Sequence, residues 1–164
     1  MYQALAAVDY MHQHGYMHRD IKPENYLVSN GPPGGSAADG ISLTGGSYDN
    51  CTLKLADFGL AKDFRKRNGS GVHTEYVSTR WYRAPEIALR MTNYTEKVDV
   101  FALGCIMGEM FLGRPVFPGT SEADQLTRIV TVLGAPSRQE WPDGLQTATQ
   151  RGVTFPMVQP QSLR

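Results

Sequence analysis

The chain opens with apolar residues at the spacing of an α-helix. Ala4, Leu5, Val8 and Met11 fall on one face of such a helix, and Gly15 follows them as a stop signal. The pattern predicts an amphipathic helix that packs one face against the rest of the protein and delivers its end to the residues that follow. We expect this helix to be a scaffold element without chemistry of its own.

Two short apolar runs, at residues 26–28 and 53–56, have the character of β-strands. Antiparallel pairing of these strands would place Asn25 beside Asp57. The residues between them, 29–50, are rich in glycine, proline, serine and aspartate and have little apolar surface to bury. This composition predicts a flexible insertion at the hairpin tip, and it favours a loop without function over a regulatory or partner-binding one.

The most apolar stretch of the chain is Val98–Leu112, which is apolar on nearly all sides of a helix. A helix of this kind is expected to be buried. Asp99 near its start would be costly there unless it were hydrogen-bonded, and the backbone amides of the loop at residues 18–25 are the expected partners. We therefore interpret Asp99 as a structural residue.

Ser121, with Asp124 three residues later, has the pattern of a helix N-cap. The helix that it begins has one apolar face within residues 126–133 and ends at Gly134. From residue 135 to residue 164, proline, glycine and glutamine dominate, and irregular structure is expected.

Composition narrows the possible partners of this one-domain chain. Its 164 residues include sixteen Lys plus Arg and sixteen Asp plus Glu, so no net field attracts nucleic acid or an anionic membrane. No apolar run approaches the ~20 residues of a membrane span, and no signal peptide is recognisable. Cys51 and Cys105 fit reduced thiols, which favours an intracellular location. His12 and His14 would face different sides of a helix, so we expect surface positions and no metal site.

Three motifs occur in order and together form a stronger signal than any one of them. The run His-Arg-Asp-Ile-Lys-Pro-Glu-Asn occupies residues 18–25, Asp-Phe-Gly occupies residues 57–59, and Ala-Pro-Glu occupies residues 84–86. Any one of them alone is most simply a set of polar loop residues. The ordered set resembles the signature of the protein kinases.

The resemblance implies a chemical role for four of these residues. Asp20 is the candidate base that accepts the proton of a substrate hydroxyl, while Asn25 and Asp57 hold Mg²⁺, a hard cation that oxygen ligands suit. Lys22 contacts the transferring phosphate of ATP as a point charge, and its presence favours transfer to Ser or Thr over Tyr. ATP and Mg²⁺ are thus the expected cofactors.

The segment between the second and third motifs has the composition of a regulatory loop. Residues 62–71 are basic and then glycine-rich, which predicts a flexible run that leads to Thr74 and Tyr76. These two hydroxyls are either surface groups without consequence or phosphorylation sites, and the surrounding basic residues favour regulation. The residues expected to pair with such phosphates are Arg19, Lys62, Arg80 and Arg83.

The run Thr-Glu-Tyr-Val-Ser-Thr-Arg-Trp-Tyr-Arg-Ala-Pro-Glu at residues 74–86 is similar to the CMGC group, which holds the MAP kinases and cyclin-dependent kinases. Residues 113–122 and 141–144 resemble the male germ cell-associated kinase branch, and the insertion at 29–50 resembles its fungal meiosis-inducing members. The resemblance covers residues 1–164 and implies a partial kinase domain. This would be the C-terminal lobe from helix E to helix G, mainly α with a short β-hairpin (α+β), with the N-lobe absent.

This closer resemblance adds further roles. Thr79 would help to fix Asp20 and Lys22, and Thr74 and Tyr76 would be dual phosphorylation sites for an upstream activating kinase. Arg83 resembles the arginine that makes this group prefer proline after the phosphorylated residue, which implies protein substrates with Ser/Thr-Pro sites. Location in the cytoplasm or nucleus follows by analogy. Phe101 departs from the usual tryptophan, which affects packing more than activity.

A working kinase also has a glycine-rich phosphate loop, a strand lysine paired with a helix glutamate and an adenine-binding hinge, and the sequence contains none of these. We therefore expect the 164-residue chain alone to be nearly inert, although its parent protein is a kinase. One alternative is an inert fragment that binds substrates or activators, and another is a truncated gene model. A third is a nucleotide-binding module without transfer activity, for which only millimolar affinity is expected.

Overall fold

Helices dominate the part of the chain that the computed structural model describes, which comprises residues 1–30, 51–65, 79–156 and 158. A mainly helical fold with a short β-hairpin is confirmed for these residues. The helices are α1 (Tyr2–Gln13), α2 (Pro85–Ala88), α3 (Lys97–Leu112), α4 (Glu122–Leu133) and α5 (Pro142–Gln150). The strands are β1 (Tyr16–Met17), β2 (Tyr26–Asn30), β3 (Cys51–Leu55) and β4 (Lys62–Asp63). Strand β1 pairs with β4, and β2 pairs with β3, both in antiparallel orientation.

Helix α1 confirms the amphipathic helix predicted at the start of the chain. Ala4 and Val8 are buried in the main core, whereas Leu5 is exposed, so the buried face is narrower than the sequence pattern indicates. The helix ends before Gly15, whose φ of 85° lies in the left-handed region that glycine adopts without strain. The chain turns there and enters β1.

The hairpin of β2 and β3 confirms the predicted strand pairing. Tyr26 lies opposite Leu55, and the amide of Ala56 donates to the carbonyl oxygen of Asn25 at 2.8 Å. The predicted insertion begins too early, because Ser29 and Asn30 continue β2 and pair with β3. The rest of that prediction, residues 31–50, lies outside the described residues.

The small sheet of β1 and β4 was not predicted. Met17 lies opposite Lys62, and the amide of Phe64 donates to the carbonyl oxygen of Gly15 at 3.0 Å. The predicted flexible run is therefore wrong at its start, since Lys62 and Asp63 form a strand. Residues 66–71 of that run lie outside the described residues, as do the predicted phosphorylation sites Thr74 and Tyr76.

Helix α3 contributes to the main core but is buried on one side only. Leu103 and Ile106 belong to the main core, whereas Met107, Met110 and Phe111 are exposed, the last at 86%. The expectation of a helix buried on all sides is thus wrong, because the described segments pack against only one of its faces. No helix among the described residues is both long and apolar enough to span a membrane. Phe101 stacks on Phe117 with ring centroids 6.0 Å apart, so the phenylalanine fills its site with a flat aromatic contact.

Asp99 near the start of α3 binds the loop after β1, as predicted. Its carboxylate is 1% exposed and accepts hydrogen bonds from the amides of His18 and Arg19, each at 2.8 Å. It also accepts from Nε2 of His12 at 2.8 Å. The expected surface position of His12 is therefore wrong, because the end of α1 lies against α3. His14 is exposed as expected, and its ring contacts that of Tyr10 in a tilted arrangement.

The C-terminal part of the described chain packs around α4. Ser121 caps this helix through a bond from the amide of Asp124 at 3.1 Å, as predicted, and Gly134 ends it. The expectation of irregular structure after residue 135 is wrong for α5, which buries Ala148 in a second core with Leu126. Gly144 lies inside this helix, although glycine usually indicates irregular structure. A Cβ at this position would collide with the Trp141 ring, so the glycine allows close packing within the helix.

Replacing the buried Asp99 with asparagine is expected to destabilise the protein. The side-chain amide of asparagine has one acceptor oxygen, whereas the Asp99 carboxylate has two. One of the three groups that donate to Asp99 would therefore face an NH₂ group in the variant. We expect Asp99→Asn to lower the free energy of unfolding in urea by about 3 kcal/mol. Asp9→Asn on the exposed side of α1 is the matched control and should change it by less than about 0.5 kcal/mol. A loss for Asp99→Asn as small as that of the control would contradict this view of the buried carboxylate.

The two cysteines are expected to differ in reactivity. Burial raises the pKa of the Cys105 thiol to about 12, so it stays protonated in the folded protein at pH 8. An aromatic disulfide reagent should modify the partly buried Cys51 quickly and Cys105 only as the protein unfolds. Above the ordinary thiol pKa of 9.0 the unfolded chain loses a proton that folded Cys105 keeps, so stability should fall as pH rises. A Cys105→Ala variant should lack this contribution, and equal reactivity of both native thiols would contradict the assignment.

Candidate active site

The loop between β1 and β2 has an unusual backbone conformation, which a residue of α3 stabilises by a hydrogen bond. Arg19 has a φ of 70°, in a region that non-glycine residues seldom adopt and that costs of order 1 kcal/mol or more. Its amide donates to Oδ1 of Asp99 at 2.8 Å, which holds this conformation in place. The loop therefore presents its side chains from a fixed backbone.

His18 fastens the loop to the segment after β3. It is fully buried, and its Nε2 lies 3.0 Å from the carbonyl oxygen of Ala56, which can only accept. The amide of Asp20 donates to Nδ1 at 3.3 Å. The ring therefore carries its proton on Nε2 and acts as a neutral bridge. Its edge also contacts the ring of Phe58, with centroids 5.4 Å apart.

Asp20, Lys22 and Asn25 come together as the sequence predicts. The Lys22 ammonium lies 2.7 Å from Oδ2 of Asp20, in a pair whose side chains are 15% and 11% exposed. The side-chain NH₂ group of Asn25 donates to the backbone oxygen of Asp20 at 2.8 Å and to Oδ2 of Asp20 at 3.3 Å. This arrangement orients the Asp20 carboxylate and keeps a positive charge beside it.

Asn25 and Asp57 are brought close by the hairpin. The backbone carbonyl oxygen of Asn25 accepts a hydrogen bond from the backbone amide of Ala56, the residue before Asp57. The side-chain NH₂ group of Asn25 is turned toward Asp20, so the side-chain oxygen of Asn25 lies on the other side of its amide group. Asp57 has a φ of 60°, is exposed, and accepts a bond from the amide of Gly59 at 3.3 Å. An amide oxygen and an exposed carboxylate are ligands that suit Mg²⁺, which takes few protein ligands and keeps sites for water and phosphate.

The basic residues predicted to pair with phosphates lie in different surroundings. Nε of Arg19 donates to the Leu60 carbonyl at 2.6 Å and Nη1 to the Tyr94 hydroxyl at 2.9 Å, so both of these partners are neutral. Lys62 lies in β4. Arg80 donates from Nη1 to the Thr120 carbonyl at 3.3 Å.

Arg80 and Arg83, in the segment that begins at residue 79, differ in the partners of their guanidinium groups. Nε of Arg80 is buried and has no hydrogen-bond partner within the described ranges. A buried donor without an acceptor is unfavourable and points to a ligand or segment that accepts from it. Arg83 is 9% exposed and lies 3.8 Å from the carboxylate of Glu122 in α4. Glu122 also binds Arg90 at 3.1 Å.

A small cavity connects Asp20 with this segment. Its volume of about 20 Å³ is large enough for one water molecule. Thr79 and Arg83 line it together with Asp20, so the structure brings these predicted residues to one place. Asp99 is also one of its lining residues.

Three tyrosines were missed by the sequence analysis. Tyr94 binds Arg19, and Tyr26 lies near Asp99: burial, and then the Asp99 charge, raise the pKa of Tyr26 to about 12. Tyr82 donates to Glu109 at 2.7 Å, and its pKa is raised by burial and by this bond. Each contact joins segments far apart in sequence, so no local pattern identifies these residues.

Comparisons with known proteins identify the family of this chain. The family model described as Protein kinase domain matches residues 1–151. Serine/threonine-protein kinase ICK of Rattus norvegicus is 43% identical over 164 residues, which are 100% of this chain and 23% of that protein. Serine/threonine-protein kinase MAK of Homo sapiens is also 43% identical over 164 residues, again 100% and 23%. Cyclin-dependent kinase F-4 of Oryza sativa subsp. japonica is 45% identical over 157 residues, or 96% of this chain and 29% of that protein.

These relatives support the CMGC resemblance, while the similarity to fungal meiosis-inducing members stays a prediction. The chain spans 23% to 29% of the length of the three relatives. The family match, by contrast, extends over residues 1–151 of the 164 and includes the loop, the hairpin and helices α1 to α5. This chain belongs to the protein kinase domain family.

Proposed function

We propose that the protein containing this chain is an ATP- and Mg²⁺-dependent protein kinase that phosphorylates serine and threonine. The observation that carries this proposal is the contact of Asp20 with Lys22 and Asn25 on a loop anchored by Asp99. A carboxylate with an adjacent cation and an oriented amide is the group that phosphoryl transfer to a hydroxyl requires. The similar proteins named as serine/threonine kinases add support.

In this mechanism Asp20 acts on the substrate hydroxyl. Its carboxylate accepts the hydroxyl proton while the oxygen bonds to the γ-phosphorus, and the bond between that phosphorus and the leaving oxygen of ADP breaks. The bond that the Asn25 side-chain NH₂ group donates to Oδ2 of Asp20 helps to orient this carboxylate toward the hydroxyl. Positioning of this kind supplies much of the rate in phosphoryl transfer.

Asn25 and Asp57 are the residues proposed to hold Mg²⁺. When bound, the ion neutralises phosphate charge, which the chemistry of γ-phosphoryl transfer requires. The oxygens of Asn25 and Asp57 fit this ion, and two protein ligands leave room for ATP phosphates. Lys22, paired with Asp20 at 2.7 Å, adds a positive charge at the same place.

We also propose that the kinase is proline-directed. Arg83 lines the cavity beside Asp20 and is paired with Glu122, so its guanidinium is held near the expected path of a substrate peptide. The proposed partners are proteins with Ser/Thr-Pro sites. The proposed location is the cytoplasm or nucleus, where ATP is available and the thiols of Cys51 and Cys105 stay reduced.

Phosphorylation of Thr74 and Tyr76 by an upstream kinase is proposed as the activating event. Both residues lie outside the described residues, and the support comes from Arg80, whose buried Nε has no acceptor among the described residues. A phosphate supplies strong acceptor oxygens for such a group. The expectation that the isolated 164-residue chain is nearly inert stays a prediction.

Loss of the Asp20 carboxylate should abolish most phosphoryl transfer. In the full-length protein, Asp20→Asn is expected to lower kcat on a Ser-Pro peptide by about 10³-fold, because the base is lost while the side-chain volume is kept. The peptide KM should change less than about threefold. Asp143→Asn, at an exposed position of α5, is the matched control and should leave both constants unchanged. An Asp20→Asn enzyme that retains more than about a tenth of the activity would overturn the assignment.

The role of Arg83 is tested by comparing a Ser-Pro peptide with its Ser-Ala counterpart. The wild-type protein should prefer the Ser-Pro peptide by at least about tenfold in kcat/KM, a difference of about 1.4 kcal/mol. Arg83→Met keeps an unbranched side chain but removes the charge, and we expect most of that preference to disappear. Arg138→Met, at an exposed site between α4 and α5, should keep it. A variant at Arg83 with an unchanged preference would refute the proposed role.

A further inference from the structure

A buried amide in α4 joins two segments that come from different parts of the chain. Gln125 is fully buried, although most glutamines lie on the surface. Its Nε2 donates to the carbonyl oxygen of Trp81 at 3.2 Å, and its Oε1 accepts from the amide of Gly119 at 3.1 Å. The side chain therefore connects the segment before Arg83 with the loop before α4.

Trp81 is held by the same loop from a second direction. Its indole Nε1 donates to the carbonyl oxygen of Gly119 at 3.2 Å. The neighbouring Arg80 donates to the carbonyl oxygen of Thr120 at 3.3 Å. Three hydrogen bonds, from Gln125, Trp81 and Arg80, thus attach this segment to one short stretch of α4 and its preceding loop.

That stretch is itself firmly fixed. The Thr120 amide and hydroxyl both donate to Asp124, at 2.8 Å and 3.0 Å. Gly119 leaves no space beside Gln125, because a Cβ there would collide with the glutamine side chain and lie 2.8 Å from its Cα. The loop is thus a rigid support, and displacement of Gln125 would be transmitted to Trp81.

The simplest alternative is that Gln125 is only a satisfied polar group of the core. An apolar residue of similar volume would fill the same space without the cost of burying an amide. What distinguishes Gln125 is the place of its partner: Trp81 lies two residues from Thr79 and two from Arg83, and both of these line the cavity beside Asp20. The bond therefore acts on the backbone that carries residues of the candidate active site.

We propose that Gln125 is a positioning residue, which sets the place of residues 79–83 relative to Asp20 and so determines how well a substrate peptide binds. The inference rests on the proposed kinase function. Gln125 itself contacts none of the residues assigned to ATP, Mg²⁺ or proton transfer among its described bonds. Its loss should therefore weaken peptide binding more than ATP binding or the chemical step.

The test compares Gln125→Met with Gln146→Met in the full-length protein. The first removes both hydrogen bonds at nearly constant volume, and the second makes the same change at an exposed position of α5. Trp81→Phe is the second variant, because it removes only the indole bond to Gly119 at a partly exposed site and keeps the fold if Gln125→Met does not. Peptide KM, ATP KM, kcat and amide hydrogen exchange of residues 80–84 are measured for each.

We expect Gln125→Met to raise the KM of a Ser-Pro peptide about tenfold and Trp81→Phe to raise it about threefold, with ATP KM and kcat within about threefold of wild type. Exchange of the amides at 80–84 should become at least about tenfold faster in Gln125→Met and stay unchanged in Gln146→Met. Equal changes in peptide and ATP KM, or unchanged exchange at 80–84 in folded variants, would overturn the proposal. If the wild type phosphorylates no Ser-Pro peptide, the kinase proposal fails, and amide exchange alone decides whether Gln125 positions this segment.

Discussion

The candidate active site depends on one buried carboxylate. Asp99 is almost fully removed from water, and such a charge is tolerated only when donors surround it. Two of its donors are the backbone amides of His18 and Arg19, so the compensation for burial is also the attachment of the loop to α3. The left-handed conformation of Arg19 persists because this attachment holds it.

From this anchor the remaining geometry follows. The fixed loop carries Asp20, whose carboxylate accepts a hydrogen bond from the side chain of Asn25. The backbone of Asn25 in turn pairs with Ala56 in the hairpin, and this places Asp57 next to the same site. The segment that begins at Thr79 lines the same cavity as Asp20 and is bonded to Gln125 of α4. A rigid helix, a loop and a hairpin thus bring together groups that are distant in sequence, which preorganised phosphoryl transfer requires.

Local patterns predicted the residues of the site and several elements, but contacts between distant segments escaped them. The antiparallel pairing of β2 with β3 follows from two short apolar runs, and the binding of Asp99 to the loop amides follows from the cost of burying a charge. His12 was misplaced because its partner lies 87 residues away, and the strand at Lys62 was missed because two-residue strands have no periodicity. Helix α5 was missed because Gly144, normally a helix breaker, is needed there for contact with Trp141. Thr79 and Arg83 were assigned by resemblance, and only the fold places them beside Asp20.

Through its bonds to the loop amides, Asp99 makes the loop at residues 18–25 as stable as the core. Native-state hydrogen exchange of the His18 and Arg19 amides measures this stability. If both amides are bonded to a buried carboxylate, they should exchange only through global unfolding, with the same free energy as the most protected amides of α3. Exchange of these two amides at the rate of an exposed loop, while α3 stays protected, would contradict the account.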